Sequence, residues 1–203
     1  MNNWPNKSSP SATKLSIAVV CAANMNRSME AHNFLANKGF RVKSYGIAER
    51  IKLPGLSIDK PNIYRFGTSY NDIYMDLVVK NEFFYREKGL LHMLERNRRI
   101  KKYPQRFQEC DEQFDVIVTV EERVYDELLE FMSSRDPVDN RPAHVLNINV
   151  DDTLEGALQG SFAIADLLKM LSRASDLDNE IDKIVNNFEG RRKQQVLHTV
   201  VFY

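Results

Sequence analysis

Apolar residues gather at positions 15–20, Leu-Ser-Ile-Ala-Val-Val, and the run stops at Cys21 before small and polar residues lead to Arg27 and Ser28. That change of pattern predicts a strand, a loop and a helix start. Ala31, Phe34, Leu35 and Lys38 recur at helical spacing, with Gly39 placed as a C-terminal stop. Residues 41–45 alternate polar and apolar, a second strand closing a β-α-β unit. Residues 47–69 hold Pro54, Gly55, Pro61 and Gly67 and read as one long irregular segment. Loops of that length inside a compact domain are usually functional.

A mainly helical region is expected from 70 to about 99, with Ile73, Leu77, Phe84, Leu90, Leu91 and Leu94 inward and Gly89 dividing it into two helices. Residues 114–120 predict a third strand. Thr119, with Glu122 three residues on, forms a capping-box pattern. It would open a helix with Val124, Leu128, Leu129 and Met132 on its inner side. Residues 144–150 supply a fourth strand, followed by helices over 154–171 and 177–188, the latter with Ile181, Val185 and Phe188 at i, i+4, i+7. Residues 196–203 alternate weakly and suit a short strand or a packed tail. The expected fold class is α/β, with a mainly parallel sheet flanked by helices. Residues 1–13, rich in Asn, Ser and Pro, read as a disordered tail before a single domain at 14–203.

A chain of 203 residues is long enough to bury a sizeable core. Its 28 Lys and Arg balance 28 Asp and Glu, so net charge gives no ground for non-specific nucleic-acid or membrane binding. No apolar run approaches membrane-spanning length and no charged-then-apolar leader opens the chain, so a soluble intracellular protein is expected. Two cysteines, Cys21 and Cys110, are too few for a disulfide framework and suit a reducing compartment.

The chemistry concentrates at Cys21-Ala22-Ala23-Asn24-Met25-Asn26-Arg27-Ser28. A loop between a parallel strand and a helix N-terminus points backbone N–H groups, and the positive end of the helix, at a bound anion. Arg27 can grip two phosphate oxygens with its planar fork. Cys21 beneath the same field is favoured as a thiolate, a nucleophile facing a phosphoryl group. Ser28 can donate a hydrogen bond to that sulfur, and Asn24 and Asn26 can hold the loop's shape. The expected activity is a phosphatase with a phosphocysteine intermediate. Such an enzyme needs an acid to protonate a departing oxygen that is a poor leaving group. Asp136 falls between a helix and the fourth strand, at the far end of the sheet. Asp151 and Asp152 follow the fourth strand, at the Cys21 end, and topology favours that pair. Glu95 through Lys102, with Arg96, Arg98, Arg99, Lys101 and Lys102, reads as a solvated helix end, with attraction for a multiply phosphorylated substrate or a nuclear-import patch as the alternatives. Cys110 reads as structural. The four histidines show no metal-ligand spacing, and neither a metal nor another cofactor is expected.

Cysteine, five residues, then Arg-Ser after the first strand resembles the low-molecular-weight tyrosine phosphatases, whose Asp-Pro acid Asp136-Pro137 imitates. The match narrows with residues 20–32, Lys52-Leu53-Pro54-Gly55, Asp59-Lys60-Pro61-Asn62, residues 89–94, residues 121–126 and the terminal Phe202-Tyr203. These blocks resemble the Ssu family, phosphatases of the RNA polymerase II C-terminal domain. The resemblance implies that fold, with additional helices over the active-site region. It places the acid on Asp152, although Asn149 stands where the family carries an aspartate. It also implies a groove of Lys52, Leu53, Pro54, Leu90 and Met93 for phosphoserine followed by a cis proline. Cis costs an X–Pro bond only about 0.5–1 kcal/mol. From sequence pattern alone, Leu90 and Met93 are more often core than groove. The implied partners are the phosphorylated polymerase tail and a symplekin-type scaffold, in the nucleus, with roles in transcription and pre-mRNA 3′-end processing. A tyrosine phosphatase or arsenate reductase of the same fold, and a mainly scaffolding subunit, are the competing readings.

Overall fold

The computed structural model describes residues 15–203, so the tail expected at 1–13 lies outside the described residues. The chain runs β1 (Ser16–Cys21), α1 (Arg27–Asn37), β2 (Arg41–Gly46), β3 (Ile51–Leu53), β4 (Asn62–Tyr64), α2 (Tyr70–Glu87), α3 (Leu90–Ile100), β5 (Val116–Thr119), α4 (Glu122–Ser134), β6 (Pro142–Ile148), α5 (Leu154–Leu171), α6 (Leu177–Arg192) and β7 (Val196–Phe202). A short 3-10 turn, Phe107–Glu109, precedes β5. The main sheet has the order β2-β1-β5-β6-β7, parallel throughout except for β7, which runs antiparallel to β6.

β1 reads as an unbroken apolar run because both its faces are covered, as expected of a central parallel strand. Ile17, Val19 and Cys21 pack with Ala31 and Leu35 of α1 and with residues of α5 and α6. Ala18 and Val20 pack on the opposite face with Val124 and Leu128 of α4. A third cluster, over the carboxyl end of β1, joins Met25 and Met29 to Ile51, Tyr70, Leu77, Leu91 and Leu94. Each such leucine, fully buried, contributes about 1.5–3 kcal/mol. This cluster seats the two additional helices, α2 and α3, against the Cys21 loop.

Three expectations are corrected. The segment 47–69 is not irregular throughout: β3 and β4 pair antiparallel as a small second sheet. Its strands are three residues long, too short for a periodic signal. Gly55 lets the connecting loop close, because a Cβ there would fall 1.7 Å from the Lys60 carbonyl oxygen. The Thr119–Glu122 capping box does not form. Thr119 is still a buried strand residue, and its hydroxyl donates to Asn147 Oδ1 across the sheet at 2.9 Å. The residue capping α4 is instead Glu121, without a side-chain cap bond. Finally, α2 is broken at Asn81, whose backbone is extended and whose Oδ1 accepts from Phe84 N, starting a new turn. Residues 196–203 resolve as the edge strand β7, with Tyr203 buried and its hydroxyl accepting from Phe114 N.

Candidate active site

Cys21 ends β1 in register with Gly46 of β2. Beyond it the chain turns on Asn24, which has φ +54, a left-handed conformation that asparagine tolerates better than most residues. Asn24 is fully buried and every polar group it carries is used. Its N–H donates to Cys21 Sγ at 3.2 Å and its Nδ2 to Ser28 Oγ at 3.0 Å. Its Oδ1 accepts from Gln105 N, and its carbonyl from Tyr70 OH. Ser28 Oγ stands 3.0 Å from Cys21 Sγ. The sulfur is therefore flanked by an amide and a hydroxyl, both oriented by one asparagine.

Asn26 caps α1 by position only. Its side chain donates to Asp152 Oδ1 at 3.0 Å and to the Thr153 carbonyl at 3.1 Å. The first-turn N–H groups of α1 thus stay free for an anion. Arg27 is buried to 8% exposure, with Nη2 on Glu121 Oε2 at 2.7 Å, Nη1 on the Val150 carbonyl at 3.1 Å and Nε 3.4 Å from Asp152 Oδ1. Burial pulls its pKa down, but Asp152, Glu121 and Cys21 outweigh that and leave it raised, so the guanidinium is a permanent cation. Two of its five N–H groups are committed to Glu121 and Val150. Nε faces Asp152, which leaves one N–H on each Nη for a phosphate.

A cavity of about 1130 Å³ opens over this loop. Ala22, Ala23, Met25, Asn26, Arg27 and Cys21 line it, as do Lys52, Leu53, Pro54, Leu90, Met93 and Asp152. Asn24 and Ser28 do not; they act from behind, through the sulfur and the loop backbone. Leu90 and Met93 belong to the third core cluster as well as to the cavity wall. Asp151 is exposed and outside the cavity, whereas Asp152 faces Arg27. Asn149 joins Asn147 to Glu122, accepting from one and donating to the other.

Glu121 and the Val150 carbonyl went unseen in the sequence. Glu121 follows β5 at the same sheet end as Cys21, so the topology that favours Asp152 points to it equally. The run Glu95 to Lys102 is also corrected. Arg96 turns inward against the loop, and Lys101 is held by the Ser44 carbonyl with its pKa lowered to about 7 by burial. A charge run alone does not reveal which of its members turn inward. Cys110 is a free thiol donating to Tyr45 OH at 3.2 Å and packed against the α4 side of the core. Among the described residues no helix is long and apolar enough to cross a membrane.

A sulfur at the carboxyl end of a parallel strand, held by an amide and a hydroxyl and sharing one cavity with a guanidinium and a carboxylate, defines an α/β protein equipped for phosphoryl transfer to cysteine. The chain belongs to the Ssu72-like protein family, whose model matches residues 15–203. It is 48% identical over 189 residues to the RNA polymerase II C-terminal domain phosphatase SSU72 of Danio rerio, covering 93% of this chain and 97% of that one. To the Homo sapiens protein of the same name it is 46% identical over 192 residues, covering 95% and 99%. Among solved structures, Drosophila melanogaster Ssu72 with symplekin superposes with a TM-score of 0.91; it is bound to a cis peptidomimetic CTD peptide carrying the fifth-position phosphoserine. That chain is 60% identical, with 94% of this chain and 100% of that one covered.

Proposed function

We propose that this chain is a cysteine-dependent serine phosphatase acting on phosphoserine-proline in the RNA polymerase II C-terminal repeats, at the fifth-position serine with a cis proline. The observation that carries the chemistry is the convergence of Cys21, Arg27 and Asp152 on one cavity. The names of the curated relatives, and the phosphoserine peptide bound to the Drosophila protein, support the substrate. The symplekin in that complex supports a symplekin-type scaffold as partner, and action on polymerase supports a nuclear site.

In this reading Cys21 Sγ attacks phosphorus, forming the S–P bond as the P–O bond to serine breaks. Asp152 gives its proton to the departing seryl oxygen. Arg27 and the loop amides hold the equatorial oxygens, whose charge they are preorganised to meet. Asp152, now a carboxylate, takes a proton from water as that water attacks phosphocysteine, and inorganic phosphate leaves with the S–P bond broken. Ser28 stabilises the sulfur as it is released. Lys52, Leu53, Pro54, Leu90 and Met93 form the wall that receives the proline side of the peptide.

Cys21→Ser abolishes hydrolysis of an aryl phosphate yet retains phosphate binding; full activity in that variant rejects the mechanism. Turnover of phosphoserine-proline peptides above phosphotyrosine peptides separates this reading from a tyrosine phosphatase. Symplekin binding by an inert wild-type chain would instead favour the scaffold.

A further inference from the structure

Three successive carbonyl oxygens of the phosphate loop are gripped from the side opposite the cavity. Tyr70 OH donates to Asn24 O at 2.7 Å, Asn97 Nδ2 to Met25 O at 2.7 Å, and Arg96 Nη2 to Met25 O at 2.9 Å and Asn26 O at 3.2 Å. Every peptide bond among the described residues is trans. A trans peptide plane points its N–H away from its C=O. Holding the carbonyls of residues 24 to 26 toward α2 and α3 therefore turns the N–H groups of Met25, Asn26 and Arg27 the other way. Those three N–H groups have no acceptor among the described residues.

Arg96 is the organising member of this grip. Its side chain is 13% exposed, and its guanidinium meets four partners: Glu30 of α1, Met25 O, Asn26 O and, through Nε, Asn97 Oδ1. The last contact fixes the fully buried Asn97 amide so that its Nδ2 faces Met25 O. Arg96 is ion-paired to Glu30, and its remaining contacts are hydrogen bonds to the loop carbonyls and to Asn97. Only a planar fork can satisfy four acceptors in this way. The same face of α3 that carries Leu90 and Met93 to the cavity carries Asn97 to the loop, at i, i+3, i+7.

We infer that Arg96 is a positioning residue for phosphate capture, aiming the loop amides through the carbonyls behind them. The inference rests on the proposed reading of Cys21 through Ser28 as a phosphate loop, and goes beyond it by assigning the cause of the loop's shape.

The test compares wild type, Arg96→Lys and Tyr70→Phe for orthovanadate affinity, aryl phosphate kinetics and thermal unfolding. Misplaced catalytic groups cost up to about 100-fold in rate. Arg96→Lys, which keeps the charge and loses the fork, is expected to weaken vanadate at least about tenfold and to lower kcat. The KM of a phosphoserine-proline peptide should rise less, because the groove is untouched. Tyr70→Phe removes a single hydroxyl, so it keeps the test alive if the arginine variant fails to fold; it should show a smaller loss of vanadate affinity at nearly unchanged unfolding temperature. Wild-type vanadate affinity in folded Arg96→Lys, or in Tyr70→Phe, overturns the inference. Wild-type protein that binds no vanadate overturns the phosphate-loop reading itself, a separately recognisable result.

Discussion

Gly89 and Leu154 meet across the rim of the cavity: a Cβ added to Gly89 would fall 2.6 Å from Leu154 Cδ1. Gly89 joins α2 to α3 with φ +73, and Leu154 opens α5 two residues after Asp152. The helical cover and the acid loop are thus in direct contact. Gly89→Ala forces both a left-handed backbone on a Cβ residue, costing about 1–2 kcal/mol, and a displacement of Leu154. Expected are a lower unfolding temperature and a kcat that falls more for phosphoserine peptides, which need the acid, than for an activated aryl phosphate. Parallel steady-state measurements on the two substrates read this difference.

Asp152→Asn removes the proposed proton donor while keeping the contact with Asn26. Turnover of phosphoserine peptide should drop by about 10²–10⁴, with a much smaller loss for an aryl phosphate whose leaving group needs no proton. Asp151→Asn, exposed and outside the cavity, should leave both rates near wild type. Equal losses in the two variants would assign the acid wrongly.

Glu121 anchors Arg27 from the strand-β5 side at 2.7 Å. Glu121→Ala leaves Nη2 without its partner and allows the guanidinium to swing, lowering kcat on the order of tenfold. Glu121→Gln keeps an acceptor at the same place and should recover most of that loss. Kinetics of the pair with one aryl phosphate distinguish an orienting contact from a purely electrostatic one.

His32 lies on the buried side of α1, with Nδ1 2.8 Å from Ser44 Oγ. Burial first, and then Lys101 and Lys43, lower its pKa to about 4 from an ordinary 6.5. Because the unfolded chain takes up this proton more readily, stability is complete above about pH 6.5 and is lost as pH falls toward 4. The contribution is up to about 3 kcal/mol. His32→Gln should flatten the dependence of urea unfolding midpoints across that same interval. An unchanged slope would exclude His32 as its source.

The central architecture was legible because it follows from apolar runs: β1, β5 and β6 are covered on both faces, and α5 and α6 carry helical spacing. The Cys21 loop was legible because a strand stopping at cysteine before Arg-Ser is a change of period as well as a motif. What escaped depends on distant neighbours. Thr119 makes a capping pattern on paper, but its hydroxyl is taken by Asn147 on the next strand. Arg96 looked like Arg98 and Arg99, and only the packing of α3 against the loop separates them. The groove residues came from family resemblance; sequence pattern alone favoured the core for Leu90 and Met93, and they lie in both the core and the cavity wall.

The bonds that Arg96 and Asn97 make to Met25 and Asn26 come from residues that do not line the cavity. A compound lodged there, prising α3 away from those carbonyls, would disarm the enzyme without resembling phosphate. It would act by tilting peptide planes, so raising the substrate concentration would not restore the rate.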